Sequence, residues 1–164
     1  MTTRLYQPIN DNILQLSKFS IIIPNLKTSQ YYCQDVTFPG VSTTAAEVPT
    51  PFVSTYRHGD KLTYEVLGVT IICDEDMRAW EEIYNWFRSF TFPHEFPEYK
   101  GTSYQDITLI PHKNSNLANF KVKYIDCHPT SLSGLRFSTK TGPEQIPTFD
   151  ISIRYDTFFI ERTI

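Results

Sequence analysis

The sequence predicts a mainly β fold of the α+β class, a small antiparallel β-barrel or sandwich with one flanking amphipathic helix. Aromatic residues make up 15% of the chain and charged residues only 20%, a balance that favours strands. About six or seven segments alternate in the manner of strands, and one segment has helical spacing. The chain has 164 residues, so one domain spanning residues 1–164 is expected.

The first two strands are expected to pair as a hairpin. Residues 1–17 are mixed and polar, which predicts an N-terminal arm. The segment "KFSIII" places Phe19, Ile21 and Ile23 on one face of a strand. "PNLKTSQ" predicts a turn, and "YYCQDVTF" predicts the second strand.

A long strand is predicted from Lys61 to Cys73, in "KLTYEVLGVTIIC". Leu67, Val69 and Ile71 share one face. Because the other face is also largely apolar, both faces are expected to be covered, by a helix or by another subunit. That second face comprises Tyr64, Val66, Gly68, Thr70 and Ile72.

The predicted helix follows in "DEDMRAWEEIYNWFRSF", with Asp74 as its N-cap and Pro93 beyond its end. Trp86 is placed at the rim. Six residues recur at 3.6-residue spacing and predict the apolar face: Met77, Trp80, Ile83, Tyr84, Phe87 and Phe90. The predicted wet face comprises Glu81, Glu82, Asn85 and Ser89.

Three further strands are predicted in the C-terminal half, in "DITLIP", "NFKVKYIDCHP" and "TFDISIRYDTFFI". The last of these alternates cleanly. Its predicted inward residues are Phe149, Ile151, Ile153 and Tyr155.

The sequence predicts no catalytic, cofactor or metal site. Cys33, Cys73 and Cys127 form no CxxC pair, which argues against a disulfide framework or a zinc site. Cys127 and His128 are neighbours, and adjacent strand residues point to opposite faces, so they cannot easily share a proton. The chain is therefore expected not to be an enzyme and to take no small-molecule substrate.

Charge and hydropathy also limit the partners. The formal net charge is −3, which argues against a protein that grips nucleic acid, although a slightly acidic wall would let a polyanion slide past. No apolar run approaches the roughly 18–20 residues of a membrane span. We expect no membrane association.

Two long connections of low charge remain, residues 37–60 and 130–147. Loops of this length are uncommon in a compact domain unless they function or are disordered. Their apolar residues argue against disorder. The 37–60 segment is therefore predicted to be an extended inter-subunit loop or hairpin that docks on neighbours.

With these elements in order, the sequence resembles the tail-tube proteins of contractile-tailed bacteriophages and their relatives in contractile injection machines. The resemblance covers about residues 18 to 160 by overall pattern. It is carried by "KFSIIIPNL", "CQDVTFPGVS", "EVPTPF", "HGDKLTYEVLGVTIICDEDMRAWEEIYNWF", "PTSLSGLRFST" and "FDISIRYDTFFIE".

The resemblance implies a tail-tube-like fold and a virion structural protein. Such proteins form homo-hexameric rings whose inner strands join into one β-barrel, and the rings stack into a hollow tube. The implied partners are adjacent tube or baseplate rings, the tail sheath and the tape-measure protein, with DNA passing through the lumen without specific binding. Assembly is expected in the host bacterial cytoplasm. The subunit-contact residues predicted on this basis are Phe38, Pro39, Val48, Pro49, Phe52, Tyr56, Leu132 and Leu135.

Several alternatives stay open at this point. The repeating tube subunit and the tube initiator on the baseplate are favoured over a neck-proximal tail terminator. The aromatic loop from Thr91 to Tyr99 keeps the initiator open. Two other classes are a carbohydrate-binding β-sandwich that uses an exposed aromatic such as Trp86, and a small hydrolase that uses Cys127 or His128.

Overall fold

The structure is a computed structural model that describes residues 12–91, 104–139 and 146–162. Its strands pair antiparallel, so the predicted mainly β class is confirmed. It has two helices in the described part of the chain where one was predicted. The elements are β1 (Phe19–Ile22), α1 (Lys27–Tyr31), β2 (Cys33–Thr37), β3 (Val41–Val48), β4 (Thr55–Tyr64), β5 (Leu67–Ile72), α2 (Arg78–Thr91), β6 (Gln105–Pro111), β7 (Phe120–Leu132), β8 (Thr148–Arg154) and β9 (Thr157–Arg162).

Strand β7 joins two sheets. Its first half lies between β6 and β9, and its second half pairs with β8. The first sheet is therefore β1-β6-β7-β9, and the second sheet is β7-β8-β5-β2. Their inner faces share one core, which includes Tyr124, Phe149 and Leu67.

A bend in β7 carries the chain from one sheet to the other. Asp126 lies at the bend with φ 53°, a left-handed conformation that Asp adopts more readily than most residues. Opposite it, Tyr155 and Asp156 separate β8 from β9, and the Asp156 N–H donates to the Ile125 carbonyl at 3.1 Å. The single strand predicted at the C-terminus is thus two strands that follow the bend of β7.

Alternation predicted the buried face of β8 correctly, whereas β5 buries only one of the two faces predicted to be covered. Leu67, Val69 and Ile71 are buried in β5. The predicted inward residues of the C-terminal strand are all buried as well: Phe149, Ile151, Ile153 and Tyr155. Period-two patterning therefore identifies the core side of this sheet.

The long strand predicted from Lys61 to Cys73 is wrong, because Glu65 and Val66 interrupt it. Glu65 is bound twice to Gly40: its N–H donates to the Gly40 carbonyl at 3.0 Å, and its carboxylate accepts from the Gly40 N–H at 3.1 Å. Residues before the break belong to β4, and those after it to β5. Among the described residues, cover is seen on one face of β5 only, since Gly68, Thr70 and Ile72 on the other face are half-buried.

The predicted pairing of the first two strands is also wrong. β1 pairs with β6, with Ile21 opposite Leu109, and β2 pairs with β5, with Val36 opposite Val69. Helix α1 stands where a turn was predicted. It separates β1 from β2, so that the two strands lie in different sheets.

Glu82 of α2 caps α1 from a distance. Its carboxylate accepts hydrogen bonds from Thr28 Oγ1 at 2.7 Å and from the backbone N–H of Thr28 at 3.3 Å. It also accepts from the N–H and Oγ of the buried Ser29, both at 3.1 Å. These bonds satisfy N–H groups that a helix leaves unpaired at its start. Glu82 is thus half-buried, and its placement on the wet face was wrong.

The carboxylate cap predicted for helix α2 is present, but the helix buries a different face from the one predicted. The Asp74 carboxylate accepts from the N–H groups of Arg78 and Ala79, both at 3.0 Å. The buried line is Ala79, Ile83 and Trp86. Trp86 is therefore core and not rim, and Tyr84, predicted on the apolar face, is 46% exposed. Pro93 lies outside the described residues.

Candidate subunit interface

Strands β3 and β4 form a hairpin that stands apart from the body. It is a sheet of two strands that pairs with no strand of the larger sheets in the described part of the chain. Every residue of β3 is exposed, as are all of β4 except Gly59 and Tyr64. The Thr- and Val-rich sequence forms strands readily, but an isolated two-stranded hairpin is at best marginally stable in water.

A register shift divides the hairpin into a base and a tip. Thr43 lies opposite Leu62, whereas Ala45 lies opposite His58, so Thr44 faces three residues of β4. The backbones approach closely here: a Cβ on Gly59 would lie 2.1 Å from the Thr44 carbonyl oxygen. Glycine is therefore required at this bulge.

The base is fixed to the body by aromatic packing and hydrogen bonds. The Tyr64 ring lies 5.7 Å from that of Tyr155 and 5.6 Å from that of Phe158. Phe38 packs edge-on against Phe158, with the ring centroids 5.7 Å apart. Arg154 Nη1 donates to the Tyr64 carbonyl at 3.2 Å. These contacts hold the direction in which the hairpin leaves the body.

The predicted contact residues fall into three places. Four lie at or beside the hairpin tip and are exposed: Val48, Pro49, Phe52 and Tyr56. Phe38 and Pro39 lie at the base, where Pro39 is buried within the chain. Leu132 and Leu135 lie at and after the end of β7, where both are half-buried against the core.

A groove lies beside Leu135, between the start of α2 and the segments 134–138 and 146–148. It has a volume of about 640 Å³. Its apolar lining includes Met77, Leu135, Phe137 and Ile146. Phe137 is 83% exposed and Ile146 is 67% exposed. The sequence marked both as apolar loop residues, but it did not single them out as contacts.

Hydrogen bonds hold the near wall of the groove. Trp80 Nε1 donates to the Ser133 carbonyl at 3.2 Å. Ser133 Oγ accepts from the Asp150 N–H at 2.8 Å, and the Ser133 N–H donates to the Asp150 carbonyl at 2.9 Å. The chain that leads into the groove is therefore fixed to both α2 and β8.

The outward faces of the two sheets differ in chemistry. On the second sheet the outward residues are mostly small and polar or acidic, and include Asp35, Thr37, Thr70, Asp150 and Ser152, with Ile72 and Arg154 on the same face. Thr70 Oγ1 donates to Asp150 Oδ1 at 2.6 Å, and the Arg154 guanidinium reaches back to Tyr64. On the first sheet the outward residues are larger, and include Ile22, Ile110, Lys121, Lys123, Ile125 and Phe159.

The thiols lie in surroundings that disfavour nucleophilic chemistry. Burial raises the pKa of Cys127 from 9.0 to about 12, and it does the same for Cys33. The His128 ring packs beside those of Phe90 and Tyr104. A protonated thiol is a poor nucleophile, so this arrangement does not favour a Cys127 hydrolase.

The structure also bears on sugar binding, metal binding and membrane crossing. Trp86 is 4% exposed, so it offers no platform for stacking a sugar. Within residues 12–91, 104–139 and 146–162, no group of three or more His, Cys, Asp or Glu residues could hold a metal ion. No helix within the same ranges is long and apolar enough to cross a membrane.

Bent antiparallel sheets, a packed helix and a projecting hairpin together define a tail-tube-like fold. No protein-family model matches the sequence, and no curated protein matches it. Solved structures do match. A chain of the anti-feeding prophage cap, described as a tube-terminating cap, aligns with a TM-score of 0.67 at 12% identity, covering 99% of this chain and 100% of that one.

Two other assemblies contain similar chains. One is an extracellular contractile injection system, the PVC sheath–tube complex, with a TM-score of 0.65 at 12% identity and coverage of 93% and 94%. The other is the anti-feeding prophage baseplate, with a TM-score of 0.62 at 8% identity and coverage of 95% and 97%. The resemblance expected from the sequence is confirmed at the level of the fold.

Proposed function

We propose that this chain is a non-enzymatic structural subunit that forms hexameric rings in the tube of a contractile phage tail. The rings stack on adjacent tube or baseplate rings inside a sheath, around a tape-measure protein, and the channel delivers the genome. Assembly takes place in the host bacterial cytoplasm. The fold shared with chains of tube, cap and baseplate assemblies supports this proposal.

The observation that carries the proposal is the uncovered hairpin. Phe52 is 96% exposed and Val53 is 68% exposed at the turn, and Tyr56 is 68% exposed beside it. Apolar surface concentrated on a projecting element marks an interaction site. A hairpin that has no core of its own gains stability when a neighbour covers it, so it fits a joint between subunits.

The outward face of the second sheet suits the wall of the channel. Its side chains are mostly small and polar or acidic, and the cation on this face, Arg154, donates to the Tyr64 carbonyl, so the face presents little positive charge to a phosphate. The outward face of the first sheet, with its isoleucines, Phe159 and lysines, is better suited to contact with protein. This division supports passage of DNA without specific binding.

Among the positions in a tail, we favour the repeating tube subunit or the tube initiator. A terminator ring at the neck is the second candidate, and the fit to the tube-terminating cap over 99% of the chain is the observation in its favour. The Thr91–Tyr99 loop that kept the initiator open lies largely outside the described residues. Electron microscopy of particles labelled on this protein would separate the positions, because the label decorates the whole tube or one end.

Assembly of the purified chain tests the proposal directly. Sedimentation and negative-stain electron microscopy should show six-fold rings or tubes. A variant that carries Val48→Asp and Phe52→Asp should keep its free energy of unfolding and remain monomeric. A matched control is Leu117→Asp, since Leu117 is 66% exposed in the turn between β6 and β7 and should tolerate a charge without loss of assembly.

Two results would contradict the proposal. One is a wild-type chain that stays monomeric at every concentration, alone and with tail components. The other is a double variant that polymerises as the wild type does, which would remove the hairpin as the joint.

A further inference from the structure

We propose that the groove beside α2 receives the hairpin tip of a second copy of this chain. The groove is lined by Met77, Leu135, Phe137 and Ile146, and the tip comprises residues 48–56. This inference rests on the proposed function and names the receiving surface that the proposed function leaves unspecified. It joins the two separate regions in which contact residues were predicted, the hairpin and the segment after β7.

The first argument is that both surfaces expose large apolar side chains. The tip exposes Val48, Phe52 and Val53, and the groove exposes Phe137 and Ile146. Transfer of such side chains out of water is favourable, at about 25 cal/mol per Å², and an aromatic ring that enters a pocket is a typical anchor of an interface. The chain's own tip does not fill the groove, since Phe52 is 96% exposed.

The second argument is charge. Arg57 lies two pairs from Val48 on the same face of the hairpin, and Glu47 lies on the other face opposite Tyr56. The groove has Glu75 at one wall and Arg136 at the other. Apart from Asp74, whose carboxylate caps α2, each surface has one acidic and one basic side chain beside its exposed apolar residues, and Arg57 facing Glu75 gives an attractive contact.

The third argument is symmetry. Tip and groove are different surfaces of one chain, so a contact made once between two copies is heterologous, and its repetition closes a ring or extends a stack. Each subunit in such an assembly uses its tip on one neighbour and its groove on the other. A two-fold dimer that made the contact twice would fill both surfaces and stop at two chains, and sedimentation of the wild type distinguishes it from a ring.

Mixing two defective variants gives the sharpest test. Phe52→Asp removes the tip but keeps the groove, and Phe137→Asp removes the groove but keeps the tip. Both residues are so exposed that each variant should fold, which unfolding curves will check. Each variant alone should be monomeric. An equimolar mixture should form one-to-one heterodimers, because it contains one intact tip–groove pair per two chains.

Charge reversal tests the predicted orientation. Arg57→Glu and Glu75→Arg should each weaken self-association by about tenfold, and the double variant should recover most of that loss, as expected for one facing pair. Leu117→Asp serves as the control and should change nothing.

The outcomes separate the two proposals. If Phe137→Asp assembles as the wild type does, or if the mixture of variants stays monomeric, the groove is not the receiver and this inference fails while the ring proposal stands. If Phe137→Asp assembles normally but loses the sheath or another tail protein, the groove belongs to that partner and the inference again fails. A wild-type chain that never self-associates overturns both.

Discussion

The body and the hairpin are built from the same kinds of residue and use them in opposite ways. In the body, strand residues such as Phe149 and Val69 are buried in the core that the two sheets share. In the hairpin, Val48, Phe52 and Tyr56 stand in solvent. Residue type therefore determines that a segment forms a strand. Its position in the fold determines whether its side chains stabilise the subunit or remain available for assembly.

The difference between the body and the hairpin is tested most strongly by replacing one phenylalanine in each, Phe149 and Phe52. Phe149→Ala leaves a cavity in the core and should lower the free energy of unfolding by about 3–5 kcal/mol. Phe52→Ala should change it by less than about 0.5 kcal/mol and yet abolish ring formation. Denaturant titration and sedimentation measure the two effects. Equal losses of stability in the two variants would mean that the tip belongs to the folded core.

A second pair of variants tests the body alone. Glu82→Ala removes the acceptor for four hydrogen bonds from α1 and should destabilise the fold by about 2 kcal/mol. Its neighbour Glu81 is exposed, and Glu81→Ala should be near neutral. Urea unfolding measures both. If the two changes are equivalent, the bonds between α1 and α2 contribute little.

Alkaline pH provides a smaller effect that also reports on the body, since the hairpin contains no cysteine. Burial raises the pKa of Cys127 from 9.0 to about 12 in the folded state. The unfolded chain loses this proton first, so the stability from the protonated thiol is complete below pH 9.0 and is lost as pH rises towards 12. Unfolding free energies measured under reducing conditions should fall above pH 9.0, and less steeply in Cys127→Ala. An identical slope in the variant would exclude this thiol as the cause.

The smallest effect on the body is expected at the hairpin bulge. Gly59→Ala would bring a methyl group against the Thr44 carbonyl and should reduce amide protection in the hairpin and weaken assembly. The body should change by less than about 0.5 kcal/mol. Gly134→Ala is the control for hairpin amide protection only, because it lies outside the hairpin and a Cβ there meets nothing within 4 Å. Hydrogen exchange distinguishes the two variants, and an unaltered hairpin in Gly59→Ala would show that the bulge tolerates a side chain.

The sequence correctly predicted features that depend on residues close together in the chain, such as the buried face of a strand and the cap of a helix. Alternation identified the buried face of β8, and a carboxylate before an apolar repeat identified the cap of α2. Low charge combined with apolar residues predicted that residues 37–60 dock on neighbours. Phe52 and Tyr56 were predicted as contacts from the resemblance to tail-tube proteins, and both are exposed.

The errors arise where distant residues decide the structure. Helix α1 depends on Glu82, and the break after Tyr64 depends on Gly40, which lies 25 residues from Glu65. Trp86 was misplaced because helical spacing allows two overlapping apolar lines, and packing on β7 selected the one through Ala79. The groove escaped notice because its lining comes from α2, the segment after β7 and the segment before β8.

The hydrogen bonds between Glu82 and α1 also impose an order of events on folding. Thr28 and Ser29 leave the ribosome more than fifty residues before the carboxylate that caps them, and a five-residue helix does not persist alone. We therefore expect α1 to form after α2 has docked, which delays the divergence of β1 and β2 into their separate sheets. Pulse-labelled hydrogen exchange during refolding should show amides of α1 protected later than those of α2. The order of synthesis would then not be the order of folding at this end of the chain.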